Sequence, residues 1–131
     1  MALLQLNCGD KVQEQNFRNA LQAVPSSSLR RAEVLVLYSQ CLFRTRQRES
    51  DAVPLLKEAV RILPSNAGVQ RHLGYAYFRL GRDLEAIEAI ERSLDLEPNA
   101  YTYGQLGFVL MRSVSGPLTG DRARKQRANV L

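Results

Sequence analysis

Several residue types are scarce in this chain, and each scarcity excludes a class of protein. The 131 residues include one histidine, two cysteines and no tryptophan. Cys8 and Cys41 cannot form a framework of several disulfides, and together with a single histidine they cannot supply the four ligands of a structural zinc site. No apolar stretch approaches the roughly 18 residues that a membrane-spanning helix needs. The sequence therefore shows none of the marks of a disulfide-rich, zinc-binding or membrane-spanning protein.

The overall composition is that of an ordinary folded domain. Hydrophobic residues make up 45% of the chain and charged residues 24%, so a packed core is feasible. The first six residues are apolar, but no basic leader precedes them and no small-residue cleavage site follows them. We therefore predict no signal peptide and expect a cytoplasmic protein in a reducing compartment.

The net charge of +5 is concentrated near the C-terminal end of the sequence. Residues 1–111 hold 13 Lys and Arg against 12 Asp and Glu, a net charge of +1, whereas residues 112–131 hold five against one, a net charge of +4. Phosphate binding usually requires a basic face across a whole domain. We therefore do not expect nucleic acid as a partner of the domain, and only the tail remains a candidate for it.

A set of small, aromatic and proline residues recurs along the chain with a period of 34 residues. Its best copy covers residues 67–98 and contains Leu73-Gly74, Tyr77, Gly81, Ala86, Ile90, Ser93 and Pro98. This pattern resembles the tetratricopeptide repeat, a helix-turn-helix unit with a Leu-Gly pair, a downstream tyrosine, an alanine and a closing proline. Gln70 replaces the tryptophan that opens the family pattern.

Residues 28–64 form a second copy, which matches best in its second helix. In the first helix, Ser39-Gln40 takes the place of Leu73-Gly74, and Phe43 that of Tyr77. In the second helix, Ala52, Leu56, Ala59 and Pro64 are in register with the best copy. The serines at 26–28 are expected to form a longer connection, with one of them capping the helix that follows.

Two incomplete copies flank these repeats. Residues 1–25 hold a partial repeat, with a short first helix over 2–7 and a second helix over 10–24. Residues 100–112 hold the first helix of a last repeat, in which Leu106-Gly107 stands for Leu73-Gly74, one residue early. The predicted array therefore covers residues 1–112.

The resemblance implies an all-α fold, in which antiparallel helix-turn-helix repeats stack into a short right-handed superhelix, an α-solenoid. Such repeats bury their apolar faces only against their neighbours, and about three are needed for a stable array. The weak copies at both ends have two interpretations. They are either atypical capping helices or the ends of one piece of a longer superhelix.

Residues 113–131 are predicted to follow the array as a linker and a basic tail or capping helix. Residues 113–120 are rich in glycine, proline and serine. Residues 121–131 either form a short capping helix that begins at Asp121, are disordered, or act as a flexible basic arm. We favour the cap or disorder, because four positive charges without aromatic residues are a weak signal for nucleic acid.

The sequence contains no catalytic constellation. Its glycines fall at predicted turns, helix contacts and the linker rather than in a phosphate-binding loop. His72 has no serine or cysteine nucleophile within reach along its helix. Cys41 is expected to be a small apolar filler. We therefore predict no enzyme activity, no cofactor and no metal.

The resemblance places the functional surface on the first helix of each repeat, which lines a concave groove in this family. The groove is predicted to be aromatic and rich in arginine, with few carboxylates. Its predicted partner-binding residues are Leu37, Arg44, Arg71, Tyr75, Phe78, Arg79, Tyr101, Phe108 and Arg112. Tyrosine and arginine often anchor protein interfaces. Burial of the aromatic residues between repeats is the alternative interpretation.

The resemblance implies a non-enzymatic protein–protein interaction module. We expect an adaptor, a scaffold or an assembly factor that holds an acidic or amphipathic peptide or helix of a partner in the groove. The alternative is a regulatory or targeting fragment of a larger enzyme or complex subunit. The clamp that binds chaperone C-termini in some family members is not expected, because Leu37, Cys41 and Gln105 occupy its positions. Self-association through the end helices is left open.

Overall fold

The computed structural model describes residues 11–45 and 48–115, with side chains as far as residue 113. These residues form six α-helices and no strand. The helices are α1 (Lys11–Ala23), α2 (Leu29–Arg44), α3 (Glu49–Ile62), α4 (Ala67–Arg79), α5 (Asp83–Leu96) and α6 (Ala100–Ser115). The predicted all-α fold is thereby confirmed. No helix in the described part of the chain is long and apolar enough to cross a membrane.

The helices fall into two compact units, Met1–Pro64 and Ser65–Leu131. In the first unit, α1 packs on α2 and α2 packs on α3. In the second unit, α4 packs on α5 and α5 packs on α6. The most extensive contacts join α2 to α3 and α4 to α5, so each unit is built around one helical hairpin.

Each hairpin begins at a polar residue that caps its first helix. The Ser28 Oγ accepts a hydrogen bond from the backbone N–H of Arg31 at 3.1 Å, which confirms the predicted serine cap. The Asn66 Oδ1 accepts one from the backbone N–H of Val69 at 3.0 Å. Both bonds satisfy a backbone donor that has no partner within its own helix.

Prolines follow three of the helices at the same spacing. Pro25, Pro64 and Pro98 each stand two residues after the last residue of α1, α3 and α5, respectively. The residue before a proline is disfavoured in the helical conformation, because the proline ring clashes with it. The prolines therefore keep these helices from continuing into the connections.

Gly74 allows α4 to approach α5 closely. A Cβ atom at this position would lie 2.7 Å from the Cγ1 of Ile90 and 3.4 Å from the carbonyl oxygen of Ala86. Both neighbours are buried in α5, so neither side of the contact has free space. Ser93 fastens the same two helices, since its Oγ donates a hydrogen bond to the carbonyl oxygen of Ala67 at 2.8 Å.

The turn between α4 and α5 depends on Gly81. Its φ of 75° lies in the left-handed region, which glycine adopts without steric cost. This conformation lets the backbone N–H of Arg82 donate to the carbonyl oxygen of Tyr77 at 2.9 Å, while that of Gly81 donates to Phe78 at 3.0 Å. The two bonds end α4 in a Schellman-type arrangement.

In the first unit, one carboxylate and one ring contact are among the interactions that attach α1. Glu14 accepts hydrogen bonds from both terminal nitrogens of Arg48, at 2.8 and 3.1 Å, and from the Tyr38 hydroxyl at 3.0 Å. Arg18 pairs with the same carboxylate at 3.1 Å. The hydrogen bonds from Arg48 and Tyr38 lower the pKa of Glu14 from 4.5 to about 2. The Phe17 ring stacks on Tyr38 at a centroid distance of 5.0 Å.

The first helix of the second copy differs by one residue from its predicted register. Ser39 is fully buried and Gln40 exposed, whereas we aligned these two with Leu73 and Gly74, which are both buried. The burial pattern of α2 instead places Tyr38-Ser39 at Leu73-Gly74, and Leu42 rather than Phe43 at Tyr77. The connection from α2 to α3 has four residues where that from α4 to α5 has three, and this extra residue accounts for the shift.

The other sequence predictions concern the end of α6, Cys41 and the two ends of the chain. α6 continues to Ser115, whereas the linker was predicted to begin at residue 113. Cys41, expected to be an apolar filler, is 6% exposed and disulfide-bonded. The short helix predicted over 2–7 and the tail from 116 onward lie outside the described residues.

Candidate functional site: an aromatic groove between α4 and α6

In the second unit, α4 and α6 lie side by side and enclose a groove. Arg71 lies over Tyr101, and Phe78 contacts Phe108, so the two helices run in the same direction. The groove between them has a cavity volume of about 350 Å³. It is lined by Tyr75, Phe78, Ile90, Tyr101, Gly104, Gln105, Phe108 and Val109. We call this feature the aromatic groove.

Aromatic rings form the walls of the aromatic groove. Phe78 meets Phe108 edge to face at a centroid distance of 5.6 Å, and Tyr75 lies 6.4 Å from Phe78. Tyr75 and Phe78 are half-buried, whereas Tyr101 is 67% and Phe108 61% exposed. Exposed rings beside a concave apolar surface are typical of sites that bind another molecule.

Arg112 closes the end of the groove that lies near the C-termini of α4 and α6. The carbon at the centre of its guanidinium group lies 3.9 Å from the Phe78 ring centroid, and its Nη2 donates to the Phe78 carbonyl oxygen at 2.9 Å. The same group pairs with the carboxylate of Asp83, which also accepts a hydrogen bond from the Ser113 hydroxyl at 3.3 Å. The charge of Arg112 is therefore balanced, and its contacts hold α6 against the hairpin.

Arg71 lies at the opposite end of the groove. Its guanidinium carbon is 6.0 Å from the centre of the Tyr101 ring, within the range of a cation–π contact. No described carboxylate forms an ion pair with it. This end of the groove therefore carries a positive charge beside an exposed aromatic ring.

Arg79 and Tyr75 form a pair on the solvent side of α4. The Arg79 Nη1 donates to the Tyr75 hydroxyl at 3.0 Å, and its guanidinium carbon lies 5.8 Å from the ring centroid. Arg79 is exposed, and Tyr75 lines the groove. The pair fixes the orientation of the tyrosine ring in the groove wall.

The structure brings most of the predicted partner-binding residues into one unit. Tyr75, Phe78, Tyr101 and Phe108 line the aromatic groove, and Arg71, Arg79 and Arg112 contact three of them. Leu37 and Arg44 belong to the first unit, where both are exposed. Whether any of these residues touches a partner stays a prediction.

Sequence reasoning missed Ile90, Gln105 and Val109 as lining residues of the groove. Ile90 and Val109 are buried and form its floor, so their periodicity indicated only a core position. Gln105 lies four residues after Tyr101 and three before Phe108, on the same face of α6. That spacing could have identified it, but glutamine is neither aromatic nor charged.

The side-chain oxygen of Gln105 is buried beside the groove and accepts no hydrogen bond within the described chain. A Gln105→Met variant is expected to unfold with a free energy about 1 kcal/mol higher than the wild type. The reason is that a buried acceptor without a partner costs about 1 to 3 kcal/mol, and methionine has a similar shape without the acceptor. Urea denaturation followed by circular dichroism measures the difference.

Gln40→Met provides the matched control for this prediction. Gln40 is exposed on α2, so the same substitution there should change the free energy of unfolding by less than about 0.5 kcal/mol. An unchanged or lower stability of Gln105→Met would show that the amide oxygen has a hydrogen-bond donor in solution.

His72 is half-buried on α4. Burial, and to a lesser extent the neighbouring charge of Arg71, lowers the pKa of His72 below its usual 6.5, so the imidazole is neutral at pH 7. Within residues 11–45 and 48–115, no group of three or more His, Cys, Asp or Glu side chains is placed to hold a metal ion.

Comparison with known proteins identifies the hairpin that carries the groove. Residues 67–100 match a family model described as a tetratricopeptide repeat, which spans α4, α5 and the first residue of α6. A search of the curated proteins finds no match to the chain. The match confirms the resemblance to the tetratricopeptide repeat, and a repeat of this kind, typically non-catalytic, implies a protein–protein interaction module. The chain is therefore a protein that contains a tetratricopeptide repeat.

Proposed function

We propose that the chain is an adaptor, a scaffold or an assembly factor that binds a peptide or helix of a partner protein in the aromatic groove. The observation that carries this proposal is the pair of exposed rings, Tyr101 and Phe108, on one side of an apolar groove of about 350 Å³. These rings leave a large apolar area in contact with water, and a partner side chain placed between them would remove that area from water.

The size and lining of the groove favour a protein segment as its occupant. A cavity of this volume accepts a few apolar side chains, and aromatic anchors in such cavities supply most of the binding energy at many interfaces. Tyr75 and Phe78 are held by contacts within the protein before a partner arrives. Binding therefore loses little side-chain entropy at these two residues.

Peptide selection on matched variants tests the proposal. A random peptide library is selected on the full chain, and the dissociation constants of the selected peptides are measured by fluorescence anisotropy. For a Tyr101→Ala/Phe108→Ala double variant, we expect each dissociation constant to rise at least tenfold, because loss of two anchor rings typically costs more than about 1.4 kcal/mol. Helicity and melting temperature should stay unchanged, since both rings are exposed.

Tyr103→Ala is the matched control for the selection. Tyr103 lies on α6, is 57% exposed and does not line the groove. This variant should bind the selected peptides as the wild type does. Equal losses in the Tyr103→Ala and Tyr101→Ala/Phe108→Ala proteins, or no loss in either, would place peptide binding outside the aromatic groove.

A further inference from the structure

We propose that the partner of the aromatic groove is an acidic amphipathic helix, whose apolar face fills the groove and which places a carboxylate against Arg71. This inference rests on the function proposed above and adds the conformation, the charge and the contact point of the partner. Three observations carry it: the distribution of charge in the second unit, the surroundings of Arg71 and the hydrogen-bonding groups of the groove.

The first observation is that the two helices that line the groove contain arginines but no carboxylates. The described parts of α4 and α6 contain Arg71, Arg79 and Arg112 but no aspartate or glutamate. The carboxylates of α5 belong to Asp83, Glu85, Glu88, Glu91 and Asp95. Of these, Asp83 neutralises Arg112 at one end of the groove. The two helices that line the groove therefore keep a net positive charge, which favours an acidic partner.

The second observation concerns Arg71. Its cation–π contact with Tyr101 holds the guanidinium group beside the wall of the groove, and no ion pair with a described residue uses its charge. A guanidinium group can stack on a ring and still bind a carboxylate with two parallel hydrogen bonds. A helix that packs on Tyr101 would bring its flanking carboxylates within reach of Arg71.

The third observation is that the groove offers few hydrogen-bonding groups. An extended peptide carries backbone N–H and C=O groups that need partners when they are buried. The lining provides one buried acceptor without a partner, the Gln105 Oε1, while the Tyr75 hydroxyl already accepts from Arg79. A helix satisfies its own backbone groups and presents only side chains. A single polar side chain on that helix could then donate to Gln105.

Charge also distinguishes an external partner from the tail of the same chain. Residues 121–131 contain four basic residues and one acidic residue. Such a segment would bring positive charge to the side of the groove where Arg71 forms no ion pair with a described carboxylate, which is unfavourable. An acidic partner removes this repulsion, so the charge of the groove favours a segment from another protein.

Three synthetic peptides as long as α4 test the proposal. They share the same leucine and phenylalanine positions on one helical face, and their polar positions are all Glu, all Gln or all Lys. Fluorescence anisotropy gives their dissociation constants for the full chain at low and physiological salt. We expect the Glu peptide to bind about tenfold more tightly than the Lys peptide, with a preference that shrinks as salt rises.

Variants that remove positive charges then show which residues cause the preference for the Glu peptide. Arg71→Gln should weaken the Glu peptide about fivefold and leave the Gln peptide unchanged, because only the charge contact is lost. Arg92→Gln, on the exposed face of α5, and Arg124→Gln/Lys125→Gln, in the tail, should leave all three peptides unchanged. Circular dichroism checks that each variant keeps its helicity.

The outcomes separate this inference from the function on which it rests. If the Glu, Gln and Lys peptides bind equally and Tyr101→Ala/Phe108→Ala abolishes their binding, the groove binds a helix, but the inference that the partner is acidic is wrong. If the tail variant removes the preference for the Glu peptide while Arg71→Gln keeps it, the proposed contact between the partner's carboxylate and Arg71 is wrong. If no peptide here or in the library selection depends on the two rings, the proposed function itself fails.

Discussion

A Gly74→Leu variant is expected to lose about 3 kcal/mol of unfolding free energy, at the upper end of the range for overpacking a core. Even the first carbon of the new side chain would lie 2.7 Å from the Cγ1 of Ile90, and the backbone of α5 at Ala86 blocks an alternative position. Thermal unfolding followed by circular dichroism should show a melting temperature lower by about 15 °C. The contact between α4 and α5 cannot survive this substitution without a shift of one helix.

Gly107→Leu is the matched control, because Gly107 stands at the position of Gly74 in the last copy of the repeat. A Cβ atom at Gly107 would meet no described atom within 4 Å. Leucine there should raise helix stability by up to about 1 kcal/mol, since glycine is the poorer helix former. Equal losses in the two variants would contradict the close contact at Gly74 and attribute the effect to the helix backbone.

A Glu14→Gln variant is expected to lose about 1 to 2 kcal/mol of unfolding free energy at pH 7. The glutamine would weaken the charge-assisted hydrogen bonds from Arg48 and the contact with Arg18, although partial exposure of these groups reduces the effect. Hydrogen exchange should reveal faster opening of α1, which contains no buried residue and is held in part by this carboxylate and by Phe17.

The loss at Glu14 should depend on pH in a defined direction. The folded protein holds the pKa of Glu14 at about 2, below the ordinary value of 4.5. Above pH 4.5 the carboxylate is charged in both states and its contribution to stability is fully present. As the pH falls from 4.5 towards 2, the unfolded chain takes up the proton first, and the contribution disappears. The wild type and Glu14→Gln should therefore become equally stable near pH 2.

Glu88→Gln is the control for the acid titration. Glu88 is exposed on α5, and its contact with Arg92 at 3.8 Å is too long and too well solvated to add much stability. This variant should follow the wild type within about 0.5 kcal/mol at every pH. A difference between the wild type and Glu14→Gln that persists unchanged at pH 2 would rule out the ionised carboxylate as its cause.

The helices could be predicted from the sequence because their local signals agree. Ser28 and Asn66 cap the first helices of the hairpins, Gly81 allows the turn between α4 and α5, and a proline follows each second helix at the same spacing. Each of these residues acts through its own backbone or its nearest neighbours. Such signals are visible without knowledge of the tertiary structure.

The register of α2 could not be predicted in the same way. A period of 34 residues aligns the second helices, but the longer connection shifts α2 by one residue relative to α4. Tyr38 and Ser39 then meet the core where leucine and glycine stand in the best copy. Because Tyr38-Ser39 does not resemble Leu73-Gly74 in sequence, only the packing of α2 against α3 reveals that the two pairs correspond.

The structure places the predicted aromatic residues Tyr75, Phe78, Tyr101 and Phe108 in the lining of the aromatic groove. Tyr75 and Phe78 could be found because helical spacing places them on one face of α4. The pairing of Arg112 with Asp83 could not be found, because the two residues are 29 positions apart and belong to different helices. The sequence therefore indicated four groove arginines, Arg44, Arg71, Arg79 and Arg112, but not which of them is neutralised within the protein.

The unequal connections have a consequence for insertions and deletions in this gene. Adding one codon to a turn leaves both flanking helices intact, but it shifts by one residue the positions that correspond between the first helices of the two hairpins. With the turn length taken into account, Val36, Phe43 and Arg44 match Arg71, Phe78 and Arg79 in burial. Gln40 then takes the position of Tyr75, although it is more exposed. A designer who wished to transplant the tyrosine and phenylalanine of the groove onto α2 should therefore place them at 40 and 43. A change in turn length alone thus changes which sequence positions correspond between two hairpins without altering their helices.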